Sequence, residues 1–391
     1  MSSFNHLDTV RPSCLATAIR TALAAAAVAS ISVPSFAGAK LEINDNSWVS
    51  VGAGIRFAAT FVEDGSPDGE DTSSDFDIQN LRLYVNGQIT DTIGFTFNTD
   101  EIFGNGPTDV LDAFMRFEFN EHFNIHAGRH LVPADRIEMN GPFYALTWNQ
   151  YTQPLFASDQ VDVAGTYGRD DGVTVWGKAG QFQYAVGLFE GLAGNDTANQ
   201  SDSPLVAARF AYNFLSMENN PAYYTSSTYY GGLGNVFTLG LSFQSQSDGV
   251  GTAANPGDFS GYAVDLLSET VLDGGGVVTF EAEYKEFDSD YIGGAPDDAT
   301  DFGLFDGDSY FATAAYLIPG DGYGKFQPYV RFVENNPTDL PSSDLTEVGL
   351  NYVIKGHNAR LNLNYATGDA NISGYRGTDT DSISFGVQLQ I

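Results

Sequence analysis

The last ten residues, Ser382–Ile391, read SISFGVQLQI. From Ile383 onward every second side chain is apolar: Ile383, Phe385, Val387, Leu389 and Ile391, with Ser384, Gly386, Gln388 and Gln390 between them. A repeat of two belongs to a β-strand, whose successive side chains point to opposite faces. A strand that is oily on one face and runs to the final residue needs a strand to pair with and an apolar medium to face. The first alternating segment, SWVSVGAGIRFAATF at Ser47–Phe61, offers both, with Val49, Val51, Ala53, Ile55, Phe57, Ala59 and Phe61 on one face. Pairing of the last strand with the first would close a barrel.

The same period recurs along the chain. Leu81, Leu83, Val85 and Ile89 share a face, as do Ile93, Phe95 and Phe97, and then Leu111, Ala113, Met115, Phe117 and Phe119. Sixteen segments follow the pattern, near 48–62, 77–89, 92–99, 109–119, 122–130, 171–179, 182–190, 204–214, 235–246, 260–269, 276–287, 309–318, 325–335, 344–354, 358–367 and 381–391. Their connectors alternate between long, often acidic ones and tight ones. The exception is SMENNPAYYTSSTYYGGLG, Ser216–Gly234, which stands where a short turn is due. An even number of strands with alternating long and short connectors describes an all-β, transmembrane, antiparallel up-and-down barrel of about sixteen strands. Most segments reach the ~9–11 residues that a tilted strand needs to cross a bilayer.

Size separates this reading from a soluble sandwich, which closes with seven to nine strands around a filled core. A sixteen-strand barrel is too wide for its own side chains to fill and leaves an aqueous bore. The apolar registers are read as uncharged and lipid-facing. The opposite registers hold Arg56, Arg82, Asp112, Arg116, Glu118, Arg209, Glu281, Glu283, Lys285, Arg331, Glu347 and Arg360. A wet inner face and wet loops also account for a mean hydropathy of −0.16 in a membrane protein.

Composition agrees. Glycine numbers 43, aromatics make up 13% and charged residues only 17% of 391 residues, which fits neither disorder nor a helical protein. Residues 1–37 read as a secretory leader: Arg11 and Arg20, the short apolar run TALAAAAVASISV, then PSFA. That run is shorter than the ~20 apolar residues of a spanning helix. Cleavage after Ala37 removes Arg11, Arg20, Asp8 and Cys14, the single cysteine, leaving 15 basic and 49 acidic residues and a net charge of −34. No disulfide then contributes. The acidic balance argues against nucleic-acid partners and suits divalent cations. Residues 38–391 form one barrel domain.

Several stretches resemble the phosphate-selective porin O/P family: LRLYVNGQITDTIGFTFNTD, DAFMRFEFNEHFNIHAGRHLVPADRIE, GRDDGVTVWGKAGQFQYAVGLFEG and NNPAYYTSSTYYGGLGNVFTLGLSFQSQ. The resemblance covers most of the chain after the leader. It implies a sixteen-strand barrel, usually a homotrimer, in which the third loop folds inward and narrows the pore, with anions such as phosphate as cargo. Phosphate-specific members are similar to one another in a lysine-rich vestibule. Here only Lys40, Lys178, Lys285, Lys325 and Lys355 remain, and Ile391 stands where such barrels usually end on Phe.

Arg56, Arg82 and Arg116 fall on the inner registers of the first, second and fourth segments, within reach of one another at a strand spacing of ~4.8 Å. The third loop, about 131–170, offers Asp135, Arg136 and Glu138. Arginines facing carboxylates across a constriction would orient polar solutes. The other reading is that they pair with acids beside them on the wall. Arg209, Lys285, Arg331 and Arg360 are further lumen-facing charges. His122, His126 and His130 share a strand face, but a spacing of ~13 Å is too wide for one metal. The acidic runs EDGSPDGED and DDATDFGLFDGD suit solvated outer loops, with weak Ca or Mg bridging to lipopolysaccharide as their sharper use. No nucleotide, haem or Gly-x-Ser-x-Gly signature is present, so no enzyme, catalytic residue, metal or cofactor is expected.

The sequence therefore points to a porin of the Gram-negative outer membrane, exported through the periplasm. It would pass small hydrophilic solutes or ions by diffusion and touch lipid and lipopolysaccharide. The alternative is a plugged barrel with a structural or surface-interaction role, its acidic outer loops binding cations. A barrel enzyme acting on lipid is a third.

Overall fold

The computed structural model describes residues 38–102, 108–149, 152–156, 158, 168–193, 197–219, 222–290, 305–371 and 374–391. The leader, much of the far half of the third loop and most of DDATDFGLFDGD lie outside the described residues.

Seventeen strands are described: β1 (Ala39–Asn44), β2 (Ser47–Val62), β3 (Asp75–Gln88), β4 (Ile93–Ile102), β5 (Asp109–Glu118), β6 (Asn124–Leu131), β7 (Arg169–Ala179), β8 (Phe182–Phe189) and β9 (Leu205–Asn213). The second half holds β10 (Val236–Thr252), β11 (Asn255–Val271), β12 (Val277–Ser289), β13 (Gly307–Leu317), β14 (Lys325–Pro337), β15 (Ser343–Lys355), β16 (Ala359–Ala370) and β17 (Arg376–Gln390). Among the described residues one helix, α1 (Arg136–Tyr144), lies between β6 and β7.

Strands β2 to β17 pair in chain order, each antiparallel to the next, and β17 pairs with β2 from Ser382↔Val62 to Gln390↔Gly54. The ring is closed at sixteen strands, and its seam joins the last alternating stretch to the first. All sixteen alternating segments are strands. The unexpected seventeenth, β1, pairs with the start of β2 from Ala39↔Val51 to Asn44↔Ser47 and so continues the edge where β17 stops. Only six residues long and beside the expected cleavage site, it gave too little pattern to read.

Alternation in sequence becomes alternation of environment. On β14, Gln327, Arg331 and Asn335 are buried inside, while Phe326, Val330 and Phe332 are exposed outside. Outward aromatic pairs mark both ends of the barrel wall. At the short-turn end stand Phe326–Tyr352, ring centroids 4.9 Å apart, and Phe119–Phe123 at 5.9 Å. At the long-loop end stand Phe61–Phe76 at 6.3 Å and Tyr262–Tyr284 at 6.4 Å. An apolar band between two aromatic girdles is the exterior that a bilayer requires.

Two expectations need correction. The apolar registers are not uncharged to their ends: Glu286, Glu334, Asp344 and Asp381 lie on them beside the long-loop girdle. Tyr262 and Tyr284 donate to Glu286, at 2.5 and 3.1 Å, and Tyr310 donates to Glu334. At headgroup level a carboxylate stays hydrated, so it costs little there. Nor are all long-loop connectors long. β10 and β11 run on to a tight turn between Thr252 and Asn255, beyond the spans near 235–246 and 260–269 read from the pattern.

Leu363 faces outward in the middle of the band, between Leu361 and Tyr365. Leu363→Arg is expected to destabilise the barrel by about 2–4 kcal/mol in lipid vesicles, whereas Glu334→Gln at the girdle changes it by about 1 kcal/mol or less. Denaturant titration of the vesicle-folded protein checks the contrast.

Candidate pore constriction

Two connectors enter the bore. The first is the long one after β6. Asp135 caps α1, its Oδ1 accepting from the Glu138 N–H at 2.9 Å. Gly141, at φ 57°, and Pro142 then break the helix. Residues Arg136–Phe143 are all buried. Apolar side chains fix the loop to the wall: Ile137 packs with Phe311, Val333 and Leu345, and Met139 belongs to a cluster with Phe156, Phe259 and Phe287. The inner register therefore carries apolar seats among its polar residues.

Two ring seats are cut by glycine at the barrel seam. A Cβ on Gly386 would lie 2.5 Å from the Trp148 ring, and one on Gly54 would lie 2.9 Å from Phe143. Guanidiniums hold the loop backbone at the same place. Arg56 donates to the Trp148 carbonyl at 3.1 Å, Arg331 to Asn149 at 2.6 Å, and Arg360 to Ala145 at 2.6 Å and Leu146 at 3.2 Å. Arg56 also stacks over the Trp148 ring, 4.1 Å from its centroid.

The second connector is the one that stood where a short turn was due. It enters from the short-turn end and meets the first. Arg136 forks onto Glu218, with Nη1 and Nη2 at 2.8 and 2.9 Å from its two oxygens, and Nη1 also donates to the Ser226 carbonyl at 2.8 Å. Its Nε donates to Asp265 on β11 at 3.1 Å, and Arg209 on β9 forks onto the same carboxylate at 2.6 and 2.9 Å. Burial pushes the Glu218 carboxyl up, but the Arg136 charge outweighs it and holds the group below its usual range. Ser227 donates to Glu281 at 2.7 Å and Thr228 to Glu269 at 2.6 Å. His357, in the β15–β16 turn, sits with Nε2 2.8 Å from the Thr228 carbonyl. Burial and then Arg360 lower its pKa to about 3, so the ring is neutral and donates.

The third group surrounds Lys285 on β12. Its Nζ lies 2.5 Å from Asp135, 3.3 Å from Glu283 and 3.4 Å from Glu138, and donates to the Pro154 carbonyl at 3.1 Å.

The structure thus places Arg56, Arg82, Asp135, Arg136, Glu138, Arg209, Lys285, Arg331 and Arg360 inside the barrel, each 4% exposed or less. They do not line open water. A bore of this width is left to water only where nothing else enters it, and here two connectors do. Arg116 is apart from the rest, toward the short-turn end, donating to Gly87 and Gln88 and 3.6 Å from Glu118. The expected trio with Arg56 and Arg82 is therefore divided. Arg82 is 2.5 Å from Asp100 and donates to the Tyr224 hydroxyl at 3.0 Å.

Sequence reading missed Arg169, because the sixth segment was begun two residues late. It lies 3.3 Å from Asp112 and donates to the same Tyr224 hydroxyl at 2.5 Å. It also missed Glu218, Trp148, Tyr223 and Tyr224. The signal for three of these was the misplaced connector itself. His126 and His130 come closer than the ~13 Å strand spacing implies. Their ring centroids are 5.8 Å apart, because the side chains lean together around Phe114. His122 is exposed and faces the Lys178 carbonyl, and among the described residues no group of three metal-ligating side chains converges.

Residues 51–391 match the family model described as phosphate-selective porin O and P. Among solved structures the fold is similar to Salmonella typhi OmpF in complex with daunomycin (TM-score 0.60, 15% identity, covering 90% of this chain and 100% of that one). It is also similar to the anion-selective porin from Comamonas acidovorans (0.57, 15%, 88% and 100%) and the outer-membrane channel DcaP of Acinetobacter baumannii (0.54, 12%, 91% and 100%). No curated protein matches the sequence.

Removing a partner from a buried charge leaves the others unmet. Lys285→Met is expected to destabilise the folded barrel by about 3–5 kcal/mol. Lys178→Met, which breaks an exposed pair 3.5 Å from Glu121, changes it by about 1 kcal/mol or less. Denaturant titration followed by the gel shift between folded and unfolded forms distinguishes the two.

Proposed function

The chain belongs to the phosphate-selective porin O and P family and is an outer-membrane porin of a Gram-negative cell, and we propose that it passes small hydrophilic solutes, anions such as phosphate among them, by passive diffusion. The observation that carries this reading is the closed sixteen-strand ring, apolar outside and polar inside, with its bore narrowed by inward connectors. The anion-selective neighbour and the guanidiniums behind the constriction support anions among the solutes. No bond is made or broken in this mechanism. Geometry sets the size limit, and lining charge sets the preference among ions.

We place the short-turn end in the periplasm and the long loops outside. Residues 1–37 would direct export. A homotrimer agrees with the trimer form in which the similar OmpT of Vibrio cholerae is known. Lipid would cover the apolar band. The acidic outer loops would meet lipopolysaccharide through weakly held Ca or Mg, with no resident cofactor. A second reading, a plugged barrel with a structural or surface role, is favoured by the near-complete burial of the lumenal charges at mid-height.

Planar-bilayer recording separates the two. The proposal predicts stepwise, ohmic conductance from the purified protein and swelling of protein-loaded liposomes in small sugars. Silent bilayers and unswollen liposomes would establish the plug.

A further inference from the structure

The lumenal charges at mid-height are buried, yet four phenols there keep partial exposure: Tyr84 on β3, Tyr144 at the end of α1, and Tyr223 and Tyr224 on the periplasmic connector. The Tyr223 and Tyr224 rings are 4.6 Å apart, and Tyr144 stands 5.2 Å from Tyr224. These rings are thus the partly exposed aromatic groups where the two connectors meet. The Tyr223 hydroxyl is occupied, accepting from Asn98 at 2.7 Å and donating to Asp112 at 2.8 Å. The Tyr224 hydroxyl accepts from two guanidiniums, Arg82 at 3.0 Å and Arg169 at 2.5 Å. Both arginines donate to the phenol while each is paired with a wall carboxylate, Arg82 with Asp100 and Arg169 with Asp112.

We infer that the selectivity-determining residues of this pore are Tyr223 and Tyr224, delivered from the periplasmic side, with Tyr224 acting as a cap over the Arg82–Arg169 pair. The connector is built to hold that cap. Glu218 ties its entry to Arg136, and Thr228 ties its exit to Glu269 and His357. The exit then turns at Tyr230, φ 54°, and Gly231, φ 77°. Tyr230 is the one residue other than Gly or Asp with positive φ among those described, a strained conformation kept where the chain must reverse. The cap has two consequences. It makes the passage narrow, and it makes the passage less attractive to anions than its arginines alone would, because a neutral phenol covers their charge. The solutes it favours are small and uncharged, presenting one apolar face to the rings and hydroxyls elsewhere, as monosaccharides do.

This inference rests on the porin reading, and its test keeps the two apart. Single-channel conductance and reversal potential in a KCl gradient are measured for wild type, Tyr224→Ala, Tyr224→Trp and Arg82→Ala/Tyr224→Ala. Tyr224→Ala is expected to raise conductance about two-fold or more and to move the reversal potential toward that of chloride. Tyr224→Trp, a larger ring at the same place, lowers conductance. The double variant keeps the raised conductance and shows about half the shift in potential, since only Arg169 of the two uncovered guanidiniums remains. A conducting wild type with Tyr224 variants that match it in both quantities overturns the cap and leaves the porin. A wild type that passes no current removes the porin reading and this inference with it.

Discussion

Arg136 is where three separate parts of the chain meet. It rises from the third loop, forks onto Glu218 of the connector after β9, and reaches Asp265 on the wall, which Arg209 also holds. A guanidinium with almost no access to water is tolerable only if its donors are met by opposite charge. Arg136 has carboxylates from both directions; if it leaves, Asp265 keeps Arg209, but Glu218 loses its bidentate cation. The two inward connectors are thus not independent decorations of a barrel. Each supplies charge that the other needs, and the constriction exists because both are present.

The barrel sets this problem through its width. A ring of sixteen strands encloses more space than its own side chains can fill. Its outer face is an apolar band of the kind a bilayer requires, with carboxylates such as Glu286 and Glu334 only beside the girdle. The inner face has no such uniform solvent. Where a connector enters, the wall offers both apolar seats, such as Phe311 and Val333 for Ile137, and charged ones, such as Lys285 for Asp135. Between the connectors four phenols, Tyr84, Tyr144, Tyr223 and Tyr224, keep partial exposure.

The wall was legible in the sequence because its signal is local. A repeat of two survives single irregularities, and the seam between Ile383 and Phe61 followed from the first and last segments alone. β1 was too short to show the repeat, and the ends of β10 and β11 lose it at the bulge between Gln246 and Val250. The lumen was legible in part. Which charges face inward followed from register, so Arg56, Arg82 and Lys285 were found. Their partners did not follow, because they come from connectors that no period describes. Trp148 meets its seat at Gly386 across more than two hundred residues, and Tyr224 meets Arg82 from a segment whose only anomaly was its length. For His126 and His130 the register gave the shared face but not the 5.8 Å between their rings, because backbone spacing says little about where side chains lean.

Amide hydrogen–deuterium exchange on the folded protein in detergent tests the interlocked connectors most directly. Residues 136–146 and 222–230 are expected to exchange nearly as slowly as the strands around them, and Arg136→Ala is expected to accelerate both segments together. Rapid exchange of residues 222–230 in the wild type, at the rate of the outer loop 63–74, would contradict it.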